Sequence, residues 1–396
     1  MRRLSTASLT LLSAAALSAL TGCALGPDYH GPQDASTPAQ FSRASKDPSI
    51  RTSAPLAQWW KSLNDAELSS LIERALAANP DLDAARVRLR SARAGTSLEQ
   101  ANRMPTVSGS AMAAKFRIPE ISMGEQTIDS QWLTLYSASA NASWEADLFG
   151  SHTRSVQAAT ASAQASEAGF ADVQLSLSAE VAQNYLNLRT AQKRLSLSKQ
   201  AIARQEKMLA LMQQRYKGGT ASKLDVSKLT HQLDATRAEL PSQQADIEIY
   251  SNALAVLLGQ TPGSIDSELG AASDIPLPPA EVAIGDPASL LQRRPDVRAA
   301  ERQLAARTAQ IGVAEAAKFP QLKFTGMLGL GGTSMGDLSH LGDATIGLLP
   351  QISWNFLDFG RNAARVSQAE ANRDEAQAQY RSKVLAALKD AENALS

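Results

Sequence analysis

Cysteine is almost absent from this 396-residue sequence: Cys23 is the only one, so no disulfide can form within the chain. Aromatic residues account for only 5 %, whereas Ala, Ser and Gln are abundant. This composition favours long helices that pack closely through small side chains. Neither sign of charge dominates, with 39 basic and 39 acidic residues, and no window combines a basic patch with interleaved aromatic residues. Nucleic acid is therefore not expected as a partner.

Residue patterns for catalysis or metal binding are also lacking. The four histidines are not at metal-ligand spacing from one another, from the cysteine or from a carboxylate pair. No P-loop, nucleophile elbow, HExxH motif or dinucleotide fingerprint occurs. The glycine-rich stretch at 329–332 lies in or beside a predicted strand, which argues against phosphate binding. We expect no enzymatic activity, no metal and no cofactor apart from a covalent lipid.

The N-terminus has the pattern of a lipoprotein signal peptide, predicted over residues 1–22. A positively charged start precedes an apolar run at residues 9–20, which is too short to span a bilayer as a stable helix. Leu20-Thr21-Gly22-Cys23 then resembles a bacterial lipobox, in which the thiol is acylated and becomes the first residue. The absence of Asp at Ala24 favours sorting to the outer membrane. An ordinary signal peptide with a chance cysteine is the alternative.

A linker and the first of two structural repeats follow. Residues 23–58 are rich in Pro, Ser, Gly and Thr and are predicted to form an extended, lipidated linker. Trp59-Trp60 ends it and opens the first repeat, predicted over residues 59–259. This repeat begins with two helices, the first ending at Asn79 and the second at about Met104.

Two strand-like segments come next, at about residues 105–117 and 131–148. In the second, the even positions are apolar and the odd positions mostly polar, which is the period of a strand. The twelve steps from Trp132 to Trp144 span about 40 Å, or roughly 28 Å along the membrane normal at a tilt near 45°. The pattern is typical of a membrane strand with a lipid-facing apolar side and a polar lumen. An amphipathic edge strand of a soluble sheet is the alternative.

A long helical hairpin is predicted over residues 151–258. The first helical pattern continues to Tyr216, about 100 Å at 1.5 Å per residue, and apolar residues recur every seventh position, which predicts a coiled coil. Gly218-Gly219 breaks the helix, and Pro241 predicts a kink in the returning helix. We interpret the exposed tip either as a turn that only needs flexible residues or as a docking surface for a partner hairpin. The residues assigned to the tip are Tyr216, Gly218, Gly219, Ser222 and Asp225.

The scheme then repeats after a Pro/Gly-rich loop at residues 260–287. Arg294-Pro295-Asp296 matches Asn79-Pro80-Asp81 at an offset of 215 residues. The second repeat is predicted over residues 288–396. It contains two further strands, at about 320–331 and 344–358.

A seven-residue segment marks each change from strand to helix. It begins at Trp144 in the first repeat and returns, 210 residues later, at Trp354. Within the first segment, Glu145 and Asp147 are candidate lumen-facing carboxylates, with the wet side of a strand as the plainer interpretation. The residues assigned to the two junctions are Trp144, Phe149, Gly150, Trp354, Phe359 and Gly360.

Together, the lipobox, the Trp-Trp linker, the two helix–strand–strand–helix repeats and the tip motif resemble the outer-membrane factor (TolC-like) family. They look more closely like its lipoprotein, NodT-type branch, which serves resistance-nodulation-division (RND) efflux pumps. Further matching segments are Gly26-Pro27-Asp28-Tyr29, Asn252-Ala253-Leu254-Ala255-Val256-Leu257-Leu258-Gly259 and Arg293-Arg294-Pro295-Asp296-Val297.

The resemblance implies a mainly α fold with membrane β-structure. Each protomer of a homotrimer would give four strands to a shared twelve-stranded outer-membrane barrel, continuous with a periplasmic α-helical barrel. The tip would meet a periplasmic adaptor (membrane fusion) protein coupled to an inner-membrane RND pump. The trimer, anchored by its lipid in the outer membrane of a Gram-negative bacterium, would be a passive exit duct for drugs or other small molecules. It would open by untwisting of its helices at the periplasmic end.

Repeat symmetry also predicts a second helical hairpin in the second repeat. The sequence ends at residue 396, and roughly 70 residues of this expected hairpin are absent from it. We expect a fragment or a truncated product. Two alternative functions remain open at this point. One is the outer-membrane component of type I protein secretion, and the other is a truncated, non-conducting periplasmic coiled-coil lipoprotein. The alternating segments distinguish a channel from such a scaffold.

Overall fold

The computed structural model describes residues 24–32, 41–42, 50–51, 58–123, 126–128, 130–271, 273–279, 282–283, 286–340, 342 and 344–395. The predicted signal peptide, Cys23 and most of the predicted linker lie outside these residues. The described chain divides into two compact units. The sheet unit holds the described parts of 24–32, 90–165 and 299–384, and the helical unit holds the described parts of 36–89, 166–298 and 385–396.

Helices dominate the described chain. They are α1 (Ala66–Ala78), α2 (Pro80–Ala101), α3 (Ser151–Lys217), α4 (Lys223–Ala238), α5 (Leu240–Leu257), α6 (Asp266–Leu269), α7 (Pro287–Arg293), α8 (Pro295–Ala316) and α9 (Arg361–Ala394). Short 3₁₀ helices span Trp59–Leu63 and Met335–Ser339. The returning helix is interrupted between α4 and α5, just before Pro241, because proline lacks the backbone donor that a continuous helix needs.

Local signals in the sequence set several helix starts. The Asp65 carboxylate accepts a 2.8 Å hydrogen bond from the Leu68 amide at the start of α1. The Asn79 side chain does the same for α2, accepting from Asp81 and Leu82 at 2.9 and 3.1 Å. These side chains satisfy backbone donors that have no partner within the first helical turn.

The strands are β1 (Ile50–Arg51), β2 (Thr106–Ile118), β3 (Ile121–Met123), β4 (Gln126–Ile128), β5 (Gln131–Ala146), β6 (Val282–Ala283), β7 (Gln321–Gly332) and β8 (Thr345–Ser353). Four of them form an antiparallel sheet in the order β2–β5–β7–β8. β3 and β4 pair as a short antiparallel hairpin, and β1 pairs in parallel with β6.

The last strand is shorter than the sequence predicts. β8 ends at Ser353, five residues before the expected end at 358, and β5 ends at Ala146 rather than 148. In the second repeat, Phe359 and Gly360 adopt left-handed backbone angles, with φ of 54° and 86°. The early end of β8 follows from its pairing instead, because Ser353 lies opposite Gln321, the first residue of β7, and the residues after Ser353 have no strand residue to pair with before α9 begins at Arg361.

An apolar core organises the helical unit. It joins α1, the start of α2, the middle of α3, the end of α5 and α6. The heptad positions Val181, Leu188 and Ile202 of α3 are buried, whereas Met208 and Leu211, nearer the hairpin tip, are exposed. The largest apolar members are Trp60, Leu68, Leu71, Ile72, Leu82, Leu177, Tyr185, Leu188, Leu254, Leu258, Ile265 and Leu269.

A buried ion pair crosses this core. Arg189 of α3 is only 1 % exposed, and its guanidinium pairs with the Glu67 carboxylate of α1. It also donates to the Gln192 side chain at 2.8 Å and to the Ala271 carbonyl at 2.7 Å. These partners satisfy a charge that would otherwise be costly to remove from water.

Candidate functional site

The four-stranded sheet has two different faces. Directly opposed residues share a face, and the pairs Val107–Ala142, Ala146–Leu322 and Leu322–Ile352 connect all four strands. The face we call the apolar face therefore consists of the odd-numbered residues of β2 and the even-numbered residues of β5, β7 and β8. Its large apolar members are Trp132, Tyr136, Trp144, Leu322, Phe324, Leu328, Leu330, Ile346, Leu348 and Ile352.

The opposite side, which we call the polar face, carries most of the polar side chains of the sheet. Ser110 and Ser139 oppose each other there, with their hydroxyl oxygens 2.8 Å apart. Glu145 lies opposite Lys323 on this face. The remaining polar members are Thr106, Ser108, Gln131, Ser137, Asn141, Ser143, Gln321, Thr325, Thr345, Gln351 and Ser353. A sheet with one apolar and one mostly polar face can separate lipid from an aqueous lumen.

The first strand-to-helix junction is held by a helix cap that the sequence analysis did not identify. The Asp147 carboxylate accepts hydrogen bonds from the His152 and Thr153 amides at 3.0 and 2.8 Å. It also accepts one from the Thr153 hydroxyl at 2.7 Å. Asp147 is therefore the cap of α3, with its carboxylate engaged by the helix start, and its lumen-facing role stays a prediction. Glu145 stays within β5 on the polar face, where the lumen role remains a prediction.

The second junction repeats this arrangement. The Asp358 carboxylate accepts from the Gly360 and Asn362 amides at 3.0 and 2.7 Å, at the start of α9. Asp147 lies three residues after Trp144, whereas Asp358 lies four residues after Trp354. When the two segments are aligned on their tryptophans, the two capping aspartates therefore do not fall at the same position.

The two junction tryptophans also have equivalent partners in their own repeats. The Trp144 indole N–H donates to the Arg103 carbonyl just after α2, and the Trp354 indole N–H donates to the Lys318 carbonyl just after α8, both at 3.0 Å. Each tryptophan thus ties the strand that enters a long helix to the helix that precedes the sheet. Phe149 stacks on Phe319, with ring centroids 4.7 Å apart, and links the two repeats.

The N-terminal segment 24–32 docks beside the first junction, a site that the sequence analysis missed. Arg154 in the first turns of α3 is 3 % exposed and donates to the carbonyls of Leu25 at 2.9 Å and Gly26 at 3.0 Å. It also donates to the Asp28 carboxylate at 2.7 Å. The Arg154 guanidinium holds the pKa of Asp28 below its ordinary range by hydrogen bonding and charge. The ionised carboxylate is thereby favoured in the docked segment.

Backbone packing completes this docking site. Gly26 has a φ of 84°, and a Cβ there would lie 2.5 Å from the Cα of Gly312 on α8. A Cβ at Gly150 would likewise lie 2.5 Å from the Cα of Ala24. Neither glycine can be replaced without moving backbone, so the segment lies directly against both repeats.

Tyr29 anchors the other end of the segment. Its hydroxyl donates a 2.6 Å hydrogen bond to Glu301, and the Arg302 guanidinium lies 5.6 Å from its ring centroid. Burial and the neighbouring Glu301 raise the pKa of Tyr29, so the phenol stays protonated. The stretch Gly26-Pro27-Asp28-Tyr29 was visible as a motif, but its partners lie more than a hundred residues away in the sequence.

The predicted tip residues come together in one exposed turn between α3 and α4. Ser222 and Asp225 form a capping box, in which the Ser222 hydroxyl accepts from the Asp225 amide at 3.2 Å and donates to the Asp225 carboxylate at 2.7 Å. These bonds lower the pKa of Asp225. Gly219 has a φ of 75°, and its amide donates to the Tyr216 carbonyl at 3.0 Å. The turn is thus well defined before any partner binds.

The described residues contain no group of three or more His, Cys, Asp or Glu side chains placed to hold a metal ion. In the same part of the chain, no helix combines the length and apolar character needed to cross a bilayer.

Comparison with known proteins relates most of the chain to one family. A family model described as "Outer membrane efflux protein" matches residues 71–260 and 287–396. Nodulation protein T of Rhizobium leguminosarum bv. trifolii is 31 % identical over 380 residues, covering 95 % of this chain and 79 % of that protein. Outer membrane protein OprJ of Pseudomonas aeruginosa is 32 % identical over 387 residues, covering 95 % and 78 %. The solved structure of the outer-membrane channel OprN superposes with a TM-score of 0.88 at 34 % identity, covering 94 % and 82 %.

Proposed function

The chain belongs to the outer membrane efflux protein family, and from that premise we propose that three copies close their sheets into one barrel that acts as a passive exit duct. The chain is an outer-membrane channel of the kind that serves RND-type efflux pumps. Its fold is mainly helical with a small antiparallel sheet, as the sequence predicts.

The observation that carries the proposal is the open sheet. Within the described residues, β2 and β8 each pair on one side only, which leaves a row of backbone donors and acceptors free along each edge. In a bilayer each unpaired group costs several kcal/mol, so the edges must be covered. Because neighbouring strands all run antiparallel, β8 of one copy can continue into β2 of the next with the same pattern. Three copies would give twelve strands, whereas four alone cannot enclose a lumen.

The finer assignments belong to this proposal. Acylation of Cys23 would anchor the chain in the outer membrane, and the turn containing Tyr216, Gly219 and Asp225 would meet a periplasmic adaptor protein. The adaptor would couple the duct to an inner-membrane RND pump, and the pump would select the small molecules to be exported. A coiled-coil scaffold without a pore gives the apolar face of the sheet no role, so it is the less supported alternative.

Cysteine pairs across the two edges test the proposal. Within one chain, β2 and β8 are three strand spacings apart, about 14 Å, which is beyond the reach of a disulfide. Cysteines introduced along β2 and along β8, in a chain carrying no other free thiol, should therefore cross-link only between copies. We expect covalent dimers and trimers on denaturing gels for the pairs in register.

The matched control is the pair Ser110→Cys and Ser139→Cys, which are opposite each other within one chain and should yield a cross-linked monomer. Planar-bilayer conductance of the same purified protein gives the second readout. Monomers alone from every edge pair, with efficient cross-linking of the control, would contradict the closed barrel.

A further inference from the structure

The apolar face of the sheet carries only two charges among its described residues. Both are cationic, Lys115 and Arg117, and both lie near the end of β2 farther from α2. The charged pair on the polar face, Glu145 and Lys323, lies near the opposite end of the strands, beside the junctions. The two cations on the apolar face therefore form a separate feature of the far end of the sheet.

Lys115, Arg117 and Trp132 form one exposed patch. The Lys115 ammonium lies 5.7 Å from the Trp132 ring centroid. Arg117 is the register partner of Trp132, and its guanidinium donates a 3.1 Å hydrogen bond to the Ser130 hydroxyl. Trp132 itself is 65 % exposed. The patch combines two positive charges with an amphipathic ring whose outer surface is free within the chain.

The charges of this patch are not balanced within the described residues, where neither cation forms an ion pair with a carboxylate. Residues two apart in a strand lie about 7 Å from each other on one face, so Lys115 and Arg117 repel each other. A bound anion between or beside them would remove that repulsion. Arg117 supplies a planar fork of donors that suits an oxyanion, and Lys115 adds a compact point charge.

The position of the patch selects the kind of anion. It ends an otherwise apolar face, and an indole ring at such a place is typical of a membrane–water interface. Basic side chains at the end of a lipid-facing surface extend their charged groups towards the headgroups. We propose that Lys115, Arg117 and Trp132 form a binding site for the phosphorylated headgroup of an outer-leaflet lipid. The site rests on the proposed function, because only a closed barrel in the outer membrane places this face against lipid.

Lipid binding to the purified chain in detergent tests the site. Native mass spectrometry would count molecules of lipid A, which carries two phosphates, bound to the wild type and to the variant Lys115→Gln/Arg117→Gln. We expect the double variant to bind about thirtyfold more weakly, since each of the two basic residues near an anionic lipid surface contributes roughly one kcal/mol and about 1.4 kcal/mol corresponds to tenfold. The control Lys323→Gln removes a charge from the other face of the same sheet and should bind lipid A like the wild type.

Two further arms identify the ligand. Lipid A stripped of its phosphates should bind the wild type as weakly as phosphorylated lipid A binds the double variant. Inorganic phosphate at the lipid concentration should not displace lipid A. Equal binding of the dephosphorylated lipid, displacement by phosphate, or unchanged binding to the double variant would each overturn the site.

The state of assembly separates this proposal from the one it rests on. Edge cross-linking and conductance are measured on the same preparations. If the wild type forms no oligomers, the closed barrel is wrong and the lipid site is lost with it. If wild type and double variant assemble and conduct equally while lipid A binding is unchanged, only the lipid site is wrong.

Discussion

Arg154 occupies a position that its own helix disfavours. It lies in the first turns of α3, where the helix dipole repels a positive charge, and it is almost fully buried. Three backbone carbonyls of residues 24–26 and the Asp28 carboxylate compensate for both costs. The equivalent position in the second repeat, 210 residues later, is Ala364, which has no guanidinium to donate to such a segment. Binding of segment 24–32 thus accounts for a buried arginine at this helix start.

Replacing Arg154 with methionine should release this segment. The substitution keeps much of the volume but leaves the carbonyls of residues 24–26 and the Asp28 carboxylate without their donor, which should cost about 2 kcal/mol of docking free energy. We expect residues 24–32 to become sensitive to limited proteolysis while the rest of the chain stays resistant. The control is Arg361→Met, at the exposed start of α9 in the second repeat. Equal protection of the segment in wild type and Arg154→Met would show that the docking does not depend on this arginine.

Docking of the segment should also depend on acid pH. The pKa of Asp28 is lowered by Arg154, so the stabilisation is fully present above the ordinary carboxyl pKa of 3.8 and is lost as the pH falls through the lower folded value. Pepsin should therefore cut the segment increasingly as the pH is lowered below that range. In the Asp28→Asn variant, pepsin should cut the segment to the same extent at every pH in this series. A wild-type profile that matches the variant would contradict the linkage.

At the scale of elements, Asp147 and Asp358 show how a strand is turned into a helix twice with different spacing. Both carboxylates accept from the first free amides of a long helix, and both are followed by a glycine with positive φ. The two neighbouring carboxylates Glu145 and Asp147 therefore have different roles, one on the polar face and the other in a cap.

Alanine substitutions should separate these roles. Asp147→Ala removes the cap and should lower the free energy of unfolding by about 1–2 kcal/mol, measured by urea denaturation, with little change in ion selectivity. Glu145→Ala removes a charge from the polar face and should reduce the cation preference of the conducting channel with little loss of stability. If Asp147→Ala shifts the permeability ratio as strongly as Glu145→Ala does, Asp147 faces the lumen after all.

The elements that the sequence predicts well are those set by local pattern. Period-two alternation located β5, and the Trp-to-Gly segments located both changes from strand to helix. The pairings that the sequence does not reveal join distant residues, such as Arg154 with Asp28 and Arg189 with Glu67, which are 126 and 122 residues apart. A periodic pattern reports which face of an element is apolar, but it does not report which polar group on another element will meet a buried charge.

At the scale of the molecule, two adjacent leucines of β8 distinguish the lipid side of the sheet from the other. Leu348 belongs to the apolar face and Leu349 to the polar face, and in the single chain they are similarly exposed, at 71 % and 62 %. Only assembly in a membrane would give them different surroundings.

Lysine substitutions at these two positions should therefore differ in effect. Leu348→Lys puts a charge into lipid and should destabilise the folded barrel by about 2–4 kcal/mol near the bilayer midplane, whereas Leu349→Lys should be tolerated. The fraction of heat-modifiable oligomer after folding into lipid vesicles measures the difference. Greater damage from Leu349→Lys would reverse the assignment of the two faces.

The start of α3 binds the N-terminal segment through Arg154, whereas the equivalent position at the start of α9 is Ala364. This difference has a consequence for the proposed trimer. Three chains would present six nearly equivalent junctions around the rim of the barrel, but only the three that contain Arg154 hold an N-terminal segment. Ala24 follows directly on Cys23 in the sequence. An acyl chain on that cysteine would therefore be attached one residue before the site at which segment 24–32 docks. The acyl groups would then sit one third of the circumference apart, giving a pseudo-sixfold rim a strictly threefold pattern of attachment to the bilayer.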